Sequence, residues 1–189
     1  NEYLVYTRSA DHKNLALFEV KYNNKSLTLQ YQNSKATDSG KFEIYSAKFS
    51  QSIKAGKSGK LIITQEFVRK KKPFPSKMKL SDTPKIRIED DAYYISPYPT
   101  KKMKSSFEVG GAATILEATA VEGGEVRGRS IRYGTYKDIK PLQSHPIFIT
   151  MTYDDPLPIF TDVTRTVTLS HWKPINIDEE YRLVNLINT

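Results

Sequence analysis

Cysteine is missing from this chain of 189 residues. The absence excludes disulfides, thiolate metal sites and a cysteine nucleophile, and it leaves the redox compartment open. Histidine is scarce: His12, His145 and His171 lie far apart and form no HExxH pair, so neither a zinc site nor a metalloprotease is expected. No uninterrupted apolar stretch approaches the roughly 18 residues that a membrane span needs. Nowhere do apolar residues recur at helical spacing over several capped turns, so few or no long helices are expected. An apolar leader is also missing at Asn1, while Glu2-Tyr3-Leu4-Val5-Tyr6 and Leu183-Val184-Asn185-Leu186-Ile187 read as strand close to either end. Natural ends usually trail into polar residues, so the sequence reads as a piece excised from something larger.

What is present favours sheets. Twelve Tyr and eight Phe accompany many Thr, Val and Ile, and ten Pro and nine Gly are scattered as turn punctuation. Ser26 to Tyr31 alternates strictly, with Leu27, Leu29 and Tyr31 on one face. Asn33 to Gly40 reads as a polar turn, Lys41 to Tyr45 as a strand, Ala55 to Gly59 as a hairpin turn and Lys60 to Val68 as a further strand. Ile86 and Ile88 mark a short edge-like strand, Ser105 to Val109 another, Glu122 to Gly128 a Gly-rich loop and Ile147 to Thr152 a strand ended by Asp154 to Pro158. Val163 to Trp172 and Ile175 to Leu183 alternate around a break at Lys173-Pro174, as a hairpin of two long strands does. The fold class expected is all-β, an antiparallel β-sandwich.

Candidate chemistry is weak along the whole length. Gly56-Lys57-Ser58 has the tail of a phosphate-binding loop, but Gln51 stands where its first Gly belongs and a strand follows instead of a helix. Ser170 and His171 are adjacent in a strand and point to opposite faces, so they cannot act as nucleophile and base. Strand-end packing, with Trp172 as an amphipathic anchor, is the expectation there. The acidic pairs Asp90-Asp91, Asp154-Asp155 and Glu179-Glu180 lack a calcium-loop spacing. Asn24-Lys25-Ser26 is a complete N-glycosylation acceptor. No catalytic residue, metal ligand or cofactor is assigned.

The formal charge is +8, and its runs are Arg69-Lys70-Lys71-Lys72 with Lys77 and Lys79, and Lys101-Lys102 with Lys104. Phe67 and Phe74 flank the first, Tyr94 and Tyr98 the second. Basic plus aromatic suits a single-strand nucleic-acid groove, an anionic surface or a solvated loop; no RNP-type motif supports nucleic acid. A binding module for anionic ligands through these segments, or for carbohydrate stacked on Tyr98 or Trp172, is the runner-up reading. Pro97 and Pro99 make Tyr93 to Pro99 extended while barring it from a central ladder.

Three segments carry a resemblance. Tyr94-Ile95-Ser96-Pro97-Tyr98-Pro99-Thr100-Lys101 resembles the Tyr-Ser-Pro-Tyr-Pro-Thr-Lys stretch of the ribophorin I family, with Ile95 as a departure. Val163-Thr164-Arg165-Thr166-Val167-Thr168-Leu169-Ser170-His171-Trp172 resembles that family's Thr-Arg-x-(apolar)-x-(apolar)-Ser-His-Trp strand, and Tyr133 to Ile139 looks like its Tyr-Gly-Pro-Phe-x-Asp-(apolar) turn. The three keep the family's order over about 85–189, and upstream Ser58 to Phe67 is similar in pattern. The resemblance implies a non-catalytic subunit of the oligosaccharyltransferase complex, in the endoplasmic reticulum membrane with this part lumenal. It implies a span outside this chain, other subunits of the complex as partners, and handling of nascent polypeptide. It also implies a division into 1–160, a first lumenal β-sandwich domain lacking its first strand pair, and 161–189, a β-hairpin that opens a second. The Thr164–Leu186 hairpin is then expected to fill the missing place, within the chain or by swapping in a homodimer.

Overall fold

The computed structural model describes residues 2–50, 53, 54, 56–77, 82–121, 123–153, 155, 158–172 and 174–185. Leu186, Lys79, Lys173 and most of the Asp154–Leu157 turn lie outside the described residues. In chain order the elements begin with β1 (Glu2–Arg8), α1 (Ser9–His12), β2 (Leu15–Tyr22), β3 (Lys25–Ser26), β4 (Thr28–Thr37), β5 (Gly40–Lys48) and β6 (Leu61–Phe67). There follow β7 (Lys72–Pro73), β8 (Lys85–Asp91), β9 (Thr100–Glu108), β10 (Ile115–Ala118), β11 (Glu125–Arg127), β12 (Ser130–Ile139) and β13 (Pro146–Thr152). Last come β14 (Pro158–Thr168) and β15 (Asn176–Asn185). Every described pairing is antiparallel, so the protein is all-β, and its one helix among the described residues is four residues long.

The strands form two layer pairs and a separate ribbon. In the first pair the sheet β1-β5-β4 faces the sheet β3-β2-β6. Val5, Val20 and Ala47 meet between them with no exposed surface, ringed by Tyr3, Phe18, Leu27, Leu29, Leu61 and Ile63. Full burial of each valine contributes about 1.5–3 kcal/mol. In the second pair β10-β13-β8-β7 faces β11-β12-β9 around Ile86, Ile131, Tyr133, Ile147, Ile149 and Met151. These alternating residues are the inward faces of their strands, and period-two patterning is what puts them there.

Several boundaries differ from the sequence reading. The Ser26–Tyr31 run is broken at Leu27, whose amide donates to the Val20 carbonyl (2.8 Å) while the chain crosses from one sheet to the facing one. Tyr31, expected on one face with Leu27 and Leu29, is 55% exposed. Asn33 to Thr37 is strand rather than turn, because its polar residues pair with β5 on an exposed sheet face where burial is not required. The segment after β5 is a crossover to β6 in the opposite sheet, not a hairpin turn. Ile86 and Ile88 sit on β8, an interior strand between β13 and β7, not on an edge. The Gly-rich loop contains β11, paired with β12 through Val126 and Ile131.

Tyr133 to Ile139 is likewise strand, carrying a bulge between Tyr133 and Tyr136. Gly134 sits in that bulge at φ +96°, which an L side chain rarely adopts.

Among the described residues the β14–β15 hairpin pairs only with itself as a sheet, and those from Pro158 to Val184 are exposed on both faces. It does not fill a place in the other sheets of the same chain, so that expectation is corrected. Trp172, at the tip, is 92% exposed and so is not packed at a strand end, the ribbon being exposed along its described residues.

Candidate functional site: the seam between the two sandwiches

The two layer pairs meet at Ala92 to Pro99, the proline-bound aromatic segment singled out in the sequence. Its start is set by Asp91, the buried last residue of β8. One carboxylate oxygen accepts the amides of Tyr93 and His145, both at 2.8 Å, the first being the local turn that Asp favours. The other accepts the Ser144 hydroxyl at 2.5 Å and the Arg8 guanidinium at 2.7 Å. Arg8 ends β1, so a strand of the first sandwich is tied to a loop and a strand of the second. The Asp91 side chain is 5% exposed and that of Arg8 35%, so one partner is desolvated and the other half in water.

The rest of the segment is held in the same way. Ser96 is buried; its hydroxyl accepts the Tyr98 amide (3.1 Å) and its carbonyl accepts the Leu142 amide (2.8 Å). The Tyr98 hydroxyl accepts the Leu4 amide of β1 (3.0 Å), and its ring lies 4.8 Å from that of Tyr3. Tyr94 donates its amide to the Met103 sulfur of β9, and its phenol is raised above the ordinary tyrosine value, first by burial and then by Tyr3 and Tyr98. Pro97 and Pro99 keep this stretch out of any ladder, so it lies between the sandwiches without joining either sheet. Beside it a cleft of about 380 Å³ is lined by Arg8, Gln65, Phe67, Tyr94, Met103 and Phe107 among others.

Lys70, Lys71 and Lys72 of the first basic run are engaged within the molecule. Lys70 reaches Asp11 (3.3 Å) and Asp90 (3.8 Å) across the seam and lies over the Phe67 ring. Lys71 donates to the Tyr153 hydroxyl and covers its ring, and Lys72 pairs with Glu89 at 2.8 Å. Phe74 lies 3.4 Å under Arg87. The aromatic neighbours that suggested a stacking groove are thus partners of the protein's own cations.

The remaining sequence-predicted residues lie elsewhere. Arg165 pairs with Glu179 across the hairpin at 3.2 Å, and the Ser170 hydroxyl accepts the Trp172 amide at 3.4 Å. His171 touches the Trp172 ring. Among the described residues no hydrogen bond or ring contact joins this motif to the seam. Asn24 (φ 66°) follows Asn23 (φ 48°) in the two-residue turn between β2 and β3, and its side chain is exposed. Sequence reasoning missed Arg8 and Ser144, and saw in Asp91 only half of an acidic pair. Nothing local to Arg8 or Ser144 could have announced a meeting across 83 and 53 positions.

Two antiparallel layer pairs, joined by the Asp91 hydrogen bonds at their seam, define an all-β protein. The family model described as Ribophorin I matches residues 1–186. The chain belongs to the Ribophorin I family, and the match takes in the first 84 residues, where the resemblance was one of pattern. Among curated relatives, the chain is 23% identical over 142 residues to dolichyl-diphosphooligosaccharide--protein glycosyltransferase subunit 1A of Arabidopsis thaliana, covering 75% of this chain and 23% of that protein. To subunit 1 of Caenorhabditis elegans it is 29% identical over 113 residues, covering 60% of this chain and 19% of that protein. The chain thus spans about a fifth of the length of these two relatives.

Proposed function

We propose that this chain is a lumenal, non-catalytic part of a ribophorin I-type subunit of the oligosaccharyltransferase complex, and that its work is to hold a rigid β surface beside the transferase. The observation that carries the reading is the family match over 1–186, joined to relatives named as glycosyltransferase subunits. The fate of the motif residues supports it. The Ser96 and Tyr98 hydroxyls accept backbone amides, as does one oxygen of the neighbouring Asp91 while its other holds Arg8 and Ser144, as suits a joint rather than a reaction centre. In this reading the protein sits in the endoplasmic reticulum membrane through a segment outside this chain, and its partners are the other subunits and nascent polypeptide. The β14–β15 ribbon, exposed on both faces, is then the opening of a second lumenal domain and is covered by the remainder of the polypeptide. A homodimer that swaps the ribbon is the competing cover for the same strands.

The test is made on the full-length protein. Affinity-tagged protein is expected to co-purify with the transferase from microsomal membranes, and Asn24 is expected to carry a glycan that a glycosidase removes. A full-length product found free in the cytosol, without the transferase, overturns the reading. A ribbon-swapped dimer would show itself as a doubled mass in light scattering of the purified full-length protein.

A further inference from the structure

The two basic runs have opposite fates. Around Lys70 to Lys72 each ammonium has a carboxylate or phenol within reach. On the sheet β11-β12-β9, in contrast, Lys102, Lys104, Arg132 and Lys137 take no part in any ion pair or hydrogen bond among the described residues.

These four cations share one face. In β9 the partly buried Met103, Ser105 and Phe107 alternate with the exposed Lys102, Lys104 and Ser106. In β12 Ile131 and Tyr133 are buried, Arg132 is exposed opposite Ser106, and Lys137 is exposed opposite Lys102. Lys102 and Lys137 are therefore directly opposed, with Cβ atoms about 5 Å apart, an arrangement of like charges that destabilises a sheet. Folding gains nothing from the pair. At the far end of the face Glu125 pairs with Arg127 at 2.8 Å and stands directly opposite Arg132 in the ladder, so the uncompensated positive charge is concentrated at Lys102, Lys104 and Lys137.

We propose that this outward face of the β11-β12-β9 sheet docks an acidic surface of a neighbouring protein subunit, whose carboxylates pair with Lys102, Lys104 and Lys137. Charge complementarity names the occupant: an acidic partner relieves the Lys102–Lys137 repulsion that the isolated chain carries. A lipid surface suits the face less well. Its outward positions offer the hydroxyls of Ser106 and Thr135 and the carboxylate of Glu108, with no large apolar side chain to enter a bilayer. The proposal rests on reading the chain as one subunit of a complex.

The experiment measures binding of a labelled oligoglutamate peptide by fluorescence anisotropy, at low and at physiological salt. It compares the wild-type chain with K102E/K137E, K137T and K35E/K41E. K102E/K137E keeps a like-charged pair, so its fold is perturbed little, and its affinity is expected to fall at least about tenfold. K35E/K41E makes the same change in net charge on the exposed residues of β4 and β5 and is expected to bind within about twofold of wild type. K137T is expected to weaken binding while raising the melting temperature, the opposite of what loss of fold produces. Equal losses in the two double variants, or binding to phosphatidylserine vesicles without binding to the peptide, overturn the proposal. If K102E/K137E in the full-length protein co-purifies with the transferase as well as wild type does, the docking proposal fails and the subunit reading stands. If the wild-type protein itself does not co-purify, the subunit reading fails.

Discussion

Asp91 gathers four donors on one buried carboxylate, and three of them come from residues 53 to 83 positions away in the sequence. Replacing it by alanine leaves the amides of Tyr93 and His145 unsatisfied and removes the partner of Arg8. Orphaned buried donors and a broken buried ion pair cost several kcal/mol at most, and the part-exposed Arg8 recovers some of its loss in water. D91A is expected to lower the unfolding free energy by about 2–3 kcal/mol, and D91N, which can still accept hydrogen bonds, by roughly half that. Urea denaturation followed by tyrosine fluorescence measures both. Equal stability of D91A and wild type would refute the clasp. The sequence presented Asp90-Asp91 as a candidate acid pair, whereas the structure makes Asp91 an acceptor for backbone amides. Its neighbour Asp90 turns to the Asp91 amide and to Lys70.

Strand existence was largely legible, because alternation of apolar and polar side chains is a local property that burial of one face enforces. β8 follows it, and β14 and β15 carry the same alternation although both their faces are exposed in this chain. The missed elements include β2 and β10, whose apolar-rich runs the sequence reading passed over, and the second half of β4, where pairing with β5 outweighs a turn-like composition. The bulge in β12 belongs with these. Gly134 at φ +96° would place a Cβ 3.0 Å from the Met103 carbonyl and the Tyr136 amide, so both backbone strain and contact oppose any side chain. G134A is expected to destabilise the second sandwich by more than about 1 kcal/mol, read as a lower urea midpoint. A neutral G134A would show that the bulge relaxes without cost.

At the scale of the whole molecule, two cores are joined by a seam while a ribbon stands apart. Because β14 and β15 make their main contacts with each other, removing residues 158–189 is expected to leave the urea midpoint of the remaining sandwiches within about 0.5 kcal/mol in free-energy terms. The same truncation is expected to reduce self-association in light scattering, since the ribbon exposes Phe160, Val163, Leu169, Trp172 and Ile177. A large loss of stability would mean that the ribbon packs on the sandwiches in solution.

The sequence by itself determined the all-β class, the strand faces, the proline-bound exclusion of Tyr94 to Pro99 from any ladder, and the family resemblance. Each of these depends on neighbours a few residues apart, where side-chain period and backbone sterics act. Only the tertiary structure decided that the chain has two cores, that Asp91 reaches Arg8, and that one basic run is neutralised while Lys102 and Lys137 stand opposed. Such outcomes turn on which distant strands share a sheet, and the free energy that selects them is burial summed over both faces.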